Sequence, residues 1–141
     1  MQDKEEFPFK SLFFPLTTFK AIHIIVIIGF LVFGNALFNG FVWDDLPQIV
    51  NNNLYHSILN IIPIFLDHSF TFYRPASAIV LSGVYAIFGA TPFWYHLLQI
   101  ILHIINTILI YCIFKNFLGN SNTLILSLIF LVHPINVEAV S

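Results

Sequence analysis

The chain has 141 residues, of which 58% are hydrophobic, 17% are aromatic and only 9% are charged. Soluble domains carry about 25% charged residues, so this composition indicates a membrane protein. Five Lys and Arg against seven Asp and Glu give a formal net charge of −2, which argues against the basic stripe that a nucleic-acid surface needs. We therefore expect no nucleic acid among its partners.

The first predicted element is a membrane-spanning helix at residues 21–40. No charge occurs from Ala21 to Trp43, and a helix of 20 residues rises about 30 Å, the thickness of a hydrocarbon core. A cleaved signal peptide is the alternative, but the apolar run is long for one. Three lysines lie in segment 1–20 and the acidic pair Asp44 and Asp45 follows the helix. The positive-inside rule then places segment 1–20 in the cytoplasm and the pair outside.

Residues 41–92 are predicted to form an external loop that contains one or two juxtamembrane helices. Its asparagine run at 51–53 offers a helix N-cap. Four apolar side chains then repeat at helical spacing against polar ones, the pattern of a short helix lying in the membrane interface. These side chains are Ile58, Ile61, Ile62 and Phe65.

The number of membrane crossings depends on the apolar stretch at 75–90. It offers about 15 residues, interrupted by serine and glycine, and a span requires roughly 20. If it does not cross, spans at 93–117 and 122–134 place Lys115 inside and the closing HPINVEAVS outside, on the face that holds Asp44. We therefore expect an all-α membrane protein with about three transmembrane helices, and four as the alternative.

The second predicted span has one polar face. Its polar residues follow one another at steps of three, four and three, so they share one side of the helix. They are His96, Gln99, His103 and Asn106. We expect hydrogen bonds to neighbouring helices, because polar side chains in such numbers avoid lipid. Support of a metal site is the alternative for His96 and His103, although about 10 Å along the axis makes one shared site poor.

Five motifs then add up to a resemblance. They are NALFNGFVWDD, IVNNN, YRP, PFWYHLLQIILHIIN and HPINVEAV. In this order and spacing they resemble the N-terminal part of multispanning GT-C glycosyltransferases. The most similar are bacterial proteins with C-terminal tetratricopeptide repeats (TPR) and the animal transmembrane-and-TPR O-mannosyltransferases. Because these relatives continue with further helices and repeats, the resemblance implies that residues 21–141 are an incomplete transmembrane domain, a fragment inactive alone.

The resemblance implies an enzyme that transfers a sugar from a polyprenyl-phosphate donor to a protein or glycan acceptor at the external or lumenal face. Asp44 and Asp45 stand where such families carry an acidic pair, whose carboxylate can orient an acceptor hydroxyl and take its proton. A second carboxylate beside it tunes the first or helps to hold a divalent cation, Mg²⁺ or Mn²⁺. The alternative is a pair that only marks the membrane boundary.

Three further residues match the family's polar motifs. Arg74 in YRP suits a lipid-linked phosphate, because a guanidinium grips two oxygens at once, and a membrane-surface anchor is its alternative. The resemblance assigns His133 to the donor phosphate and Glu138 to metal binding or support. Asn136 stands where relatives often have a second histidine.

Two interpretations without catalysis stay open. A non-catalytic membrane assembly subunit would use the polar face of 93–117 to bind a partner. A transporter component would be expected to show inverted repeats, which this sequence lacks. We expect a multi-pass integral membrane protein in contact with lipid, and we favour the bacterial plasma membrane over the endoplasmic reticulum.

Cysteine accessibility tests the predicted topology. We expect the N-terminus and Lys115 inside, and Asp44 and Glu138 outside, because of the charge bias and the short 75–90 stretch. In a Cys112→Ser background, an impermeant maleimide added outside should label cysteines at 44 and 138. Labelling at 115 from outside, or at 138 only from the cytoplasm, contradicts three spans.

Overall fold

Most of the described residues are helical, with no strand among them, and this confirms the predicted all-α membrane protein. The computed structural model describes residues 16–42, 45–66 and 74–140, apart from the side chains of Gln48, Glu138 and Ala139. They form two compact units. The bundle unit combines the chain up to Gly34 with Ile100–Val140, and the loop unit is Asn35–Gln99.

Ten helical elements occur in the described part of the chain. In order they are α1 (Thr18–Phe33), a 3₁₀-helix (Gly34–Phe38), a π-helix (Leu46–Val50), two 3₁₀-helices (Asn53–His56 and Ile58–Asn60), α2 (Ile61–Leu66), α3 (Pro75–Phe88), α4 (Pro92–Val132), a 3₁₀-helix (Pro134–Asn136) and α5 (Val137–Val140).

Helix α1 begins where Thr17 caps it, because the Thr17 hydroxyl accepts from the backbone N–H of Lys20 at 3.3 Å. With the following 3₁₀-helix it forms an apolar stretch, Thr18–Phe38, of 21 residues, long enough to cross a membrane. Leu31 is 78% exposed on its outer side, which suits lipid better than water. The predicted helix at 21–40 is therefore present and begins three residues earlier.

Helix α4 consists of two antiparallel segments, 92–118 and 120–132. Between them Gly119 has φ 73° and ψ 163°, a backbone conformation that favours glycine and breaks the helix. Nε2 of His103 donates to the carbonyl of Leu131 at 2.9 Å, although a continuous helix would separate these residues by about 40 Å. The chain therefore turns back at Gly119. The two segments match the helices predicted at 93–117 and 122–134, and the number of membrane crossings stays a prediction.

The long helical segments of the bundle unit contact one another at both ends of the unit. At one end, Nδ2 of Asn120 donates to the carbonyl of Leu16 at 2.9 Å. At the other, the ring of Phe33 lies 5.3 Å from that of His103, in edge-to-face geometry. The end of α1 thus lies where segment 120–132 also ends. Which membrane face each end occupies stays a prediction.

Glycine is required at one helix contact in the bundle unit. A Cβ built on Gly29 would lie 2.6 Å from Cγ1 of Ile104 and 3.7 Å from Cδ1 of Leu131. Gly29 continues the buried stripe of α1 that also holds Ala21 and Ile25, at four-residue spacing. Without a hydrophobic driving force in lipid, helices associate through such close backbone approach.

The loop unit contains the helices expected in the first external loop. Asn52 provides the predicted N-cap, since its Oδ1 accepts from the N–H of Leu54 at 3.0 Å. The helix predicted over 58–65 appears as a 3₁₀-helix followed by α2, with Ile62 72% exposed and Ile64 only 3% exposed. Its other predicted apolar positions are also exposed, as an interfacial helix needs. Helix α3 has 14 residues, shorter than a span.

A substitution at Gly29 tests the helix contact. Gly29→Ala should lower stability by about 1–3 kcal/mol, because the new methyl displaces Ile104. Gly83→Ala is the matched control, since a Cβ there meets nothing within 4 Å. Thermal unfolding in detergent measures both. Adding Ile104→Ala to Gly29→Ala should recover part of the loss, and equal unfolding of Gly29→Ala and wild type would contradict the contact.

Candidate functional site

The acidic segment, residues 42–45, joins the end of the first helix to the π-helix. Oδ2 of Asp45 accepts from the N–H of Val42 at 3.2 Å, and the N–H of Asp45 donates to the Val42 carbonyl at 3.0 Å. Both the side chain and the backbone of the half-buried Asp45 thus bond to the backbone of Val42, which holds Asp45 in place. Asp44 lies outside the described residues.

The π-helix continues directly from Asp45. Its hydrogen bond runs from the N–H of Asn51 to the carbonyl of Leu46 at 2.9 Å, five residues apart. Such single π-turns are rare and concentrate at functional sites. At its end, the carbonyl of Ile49 accepts from Nε2 of His56 at 2.9 Å. A side chain seven residues away therefore holds the end of the turn.

Arg74 starts helix α3, so its exposed side chain lies at the N-terminal end of that helix. Its carbonyl accepts from the Ser77 hydroxyl at 3.0 Å and from the N–H of Ala78 at 3.1 Å. The positive end of the helix dipole and the guanidinium are thus at the same place, and both favour an anion. Arg74 and Asp45 belong to the loop unit.

The HPIN turn, residues 133–136, follows α4 in the bundle unit. Nδ1 of the exposed His133 accepts from the N–H of Ile135 at 3.2 Å. In the neutral ring the proton is then on Nε2. Asn136 donates from Nδ2 to the carbonyl of Phe130 at 2.8 Å, which satisfies a carbonyl in the last helical turn. Glu138 lies in α5, and its side chain is outside the described part.

His103 bonds to the end of α4 that precedes this turn. It is 7% exposed, with the rings of Phe33 and Phe130 at 5.3 and 5.4 Å. Its Nε2 donates to the Leu131 carbonyl, an interhelical hydrogen bond of the kind expected for the polar face. His103 therefore holds the last turn of α4, which ends directly before His133.

The other three residues of the predicted polar face differ in burial. His96 is 6% exposed, and its Nε2 has no hydrogen-bond partner among the described residues. Gln99 and Asn106 are exposed, contrary to the expected inward face. The four residues share an arc of about 80°, but the buried stripe runs through His96, His103 and Thr107, so the other two lie at its edge.

No group of three or more His, Cys, Asp or Glu that could hold a metal ion occurs in the part of the chain that the structure describes. A shared site for His96 and His103 is therefore unsupported by these residues. The carboxylate of Asp44 and the side chain of Glu138 lie outside the described residues.

Two residues with structural roles were not predicted from the sequence. Asn120 accepts from the Tyr111 hydroxyl at 3.1 Å and donates to Leu16, so it ties the turn of α4 to the start of α1. The signal for it was the Gly-Asn pair after an apolar run, where a helix ends on a left-handed glycine. The sequence gives no comparable signal for His56, because its hydrogen-bond partner lies seven residues back and outside any periodic pattern.

Comparison with known proteins adds relatives to this geometry. The chain is similar to protein O-mannosyl-transferases. It is 33% identical over 132 residues to the human protein O-mannosyl-transferase TMTC3, covering 86% of this chain and 14% of that protein. It is 29% identical over 133 residues to mouse TMTC3, covering 87% and 14%. The Drosophila melanogaster protein O-mannosyl-transferase Tmtc1 is 29% identical over 125 residues, covering 81% and 15%.

The chain spans about one seventh of the length of these curated relatives. No protein-family model matches it, and no solved structure matches it. The relatives' names agree with the O-mannosyltransferase resemblance. Together with the two apolar helices, they indicate a membrane protein.

The support role of His103 predicts a specific stability pattern. His103→Leu should lower the free energy of unfolding by about 1–3 kcal/mol, because the Leu131 carbonyl loses its donor inside the bundle unit. His103→Gln retains an amide donor and should cost less. Thermal unfolding in detergent compares the two. Equal unfolding temperatures for both variants and wild type would show that the hydrogen bond contributes nothing.

Proposed function

We propose that this chain is the N-terminal portion of a GT-C type glycosyltransferase that moves a sugar from a polyprenyl-phosphate donor to a protein hydroxyl at the external or lumenal face. The observation that carries the proposal is the similarity to human TMTC3, which extends over 86% of this chain at 33% identity. The name of that relative favours mannose as the sugar. The proposal includes the resemblance to bacterial GT-C proteins with tetratricopeptide repeats, which rests on the shared motifs.

The reaction exchanges one bond at the sugar's anomeric carbon for another. The bond to the phosphate oxygen breaks, the bond to the acceptor oxygen forms, and the hydroxyl proton passes to a base. One carboxylate of the acidic pair, Asp44 by the family pattern, takes this proton or positions the hydroxyl, and Asp45 tunes it. The contacts of Asp45 with the Val42 backbone support this role, because they hold the Asp45 carboxylate in place.

The leaving group is a polyprenyl phosphate, and Arg74 is proposed to bind it. The start of α3 supports this role, because backbone N–H groups and a guanidinium at one helix end both stabilise phosphate oxygens. His133 is proposed as a second donor to the phosphate through Nε2, since its Nδ1 is occupied by Ile135. Glu138 and His103 support the HPIN turn in this proposal.

A divalent cation, Mg²⁺ or Mn²⁺, is a weaker part of the proposal. The described residues do not by themselves assemble three metal ligands, so no step of the reaction is assigned to an ion. Carboxylate oxygens are the ligands that these ions prefer, and the acidic pair is where one would bind.

The site is proposed to lie in an integral, multi-pass membrane protein. The predicted three crossings would leave the acidic pair and the HPIN turn on the same membrane face. The curated relatives are animal proteins, so they give no support to the bacterial membrane that the sequence favoured. The proposed face is external in a bacterial membrane and lumenal in the endoplasmic reticulum.

Replacement of the acidic pair tests the catalytic role. In the full-length protein, Asp44→Asn should lower turnover by about 10² to 10⁴, because it keeps the size of the side chain and removes the base. Membrane insertion and thermal unfolding should be unchanged. Transfer of labelled sugar from a defined polyprenyl-phosphate donor measures turnover, with EDTA added in parallel to detect a required cation. A double variant, Asp44→Asn with Asp45→Asn, that works at the parental rate reduces the pair to a boundary marker.

Replacement of Arg74 tests phosphate binding. Arg74→Lys should raise the KM for the donor about tenfold at nearly constant kcat, because an ammonium loses the two-pronged grip. Lys115→Arg, at the other predicted membrane face, is the control and should leave KM unchanged. Donor titrations with both variants check this, and an unchanged KM for Arg74→Lys leaves Arg74 as a surface anchor.

A further inference from the structure

His56 contacts the two elements of the loop unit that carry Asp45 and Arg74. On one side, Nε2 of His56 donates to the carbonyl of Ile49 at 2.9 Å, in the π-helix that begins after Asp45. On the other, its ring stacks on that of Tyr85 in α3, with centroids 4.0 Å apart and planes 6° from parallel. One half-buried side chain thus joins both elements.

The hydrogen bond to Ile49 closes a helix end that needs a partner. The last carbonyls of any helix lack a donor within it, and Ile49 is buried from water. A buried carbonyl without a partner costs about 1–3 kcal/mol, so the His56 donor contributes directly to the stability of the π-helix. Because that helix follows Asp45 without a spacer, its end also restrains the acidic segment.

The backbone that carries His56 is itself fixed. Asn52 caps the 3₁₀-helix Asn53–His56 through its bond to Leu54, and Nδ2 of Asn60 donates to the Leu54 carbonyl at 3.0 Å. The same 3₁₀-helix packs against α3. The ring is therefore presented by a rigid turn, and its two contacts set the distance between the π-helix and α3.

We propose that His56 is a positioning residue that sets the acidic segment relative to the Arg74 end of α3. The proposal rests on the function proposed above, in which these two places bind the acceptor and the donor phosphate. His56 touches neither substrate. It acts through Asp45, because a displacement of about 1 Å in a residue that tunes the base can cost a hundredfold in rate.

Two substitutions separate the contacts of His56. His56→Phe keeps an aromatic ring for Tyr85 and removes the donor to Ile49. His56→Gln places an amide N–H the same number of bonds from Cβ as Nε2, so it restores the donor without the ring. In the full-length protein, His56→Phe should lower kcat about ten- to a hundredfold with little change in donor KM, and His56→Gln should recover most of kcat.

A double-mutant cycle with Asp45→Asn distinguishes positioning from general support. If His56 acts through Asp45, His56→Phe should have little further effect on kcat once Asp45→Asn is present. Tyr85→Phe, which keeps the stacked ring, is the matched control and should retain kcat. Multiplied effects of the two substitutions, or a kcat of His56→Phe equal to that of wild type, would overturn the proposal.

A wild-type protein that transfers no sugar would refute the proposed function. A distance measurement then tests the structural role of His56 by itself. Spin labels at Leu46→Cys and Ala76→Cys, both exposed, report the separation of the two elements in a Cys112→Ser background. His56→Phe should broaden or shift the distance distribution, and His56→Gln should preserve it. An unchanged distribution in His56→Phe refutes the link whatever the activity.

Discussion

The reversal of the chain at Gly119 is the constraint on which the bundle unit depends. Only a glycine adopts φ 73° at low cost, and this one residue converts 41 residues of apolar helix into two antiparallel segments. The reversal brings Leu131 back to His103 and Asn120 to the start of α1. Without it, the HPIN turn would lie at the opposite end of the bundle from Phe33.

Sequence periodicity and length predicted the elements that bury or expose one apolar face. The first helix, the short helix after Ile58 and the cap at Asn52 all follow from local rules of hydrophobic spacing and hydrogen bonding. The polar face of the second long helix was predicted less well. Its four polar residues spread over about 80° of the helix surface, which includes both the buried stripe and its exposed edge. Gln99 lies on the exposed edge.

The site was predicted from motif order, and its supporting contacts were not. Asp45 and Arg74 could be singled out because a charge is conspicuous in an apolar chain. These contacts join side chains to backbone carbonyls: His56 bonds to Ile49, His103 to Leu131 and Asn136 to Phe130. Such bonds span 6 to 28 residues and depend on tertiary packing, so no periodic pattern reports them.

The cap formed by His133 restricts the charge that this ring can bring to a phosphate. An imidazolium donates from both nitrogens, whereas Nδ1 of His133 accepts from the N–H of Ile135. A ring that keeps the turn in this way offers a phosphate a single N–H, from Nε2, and brings it no charge.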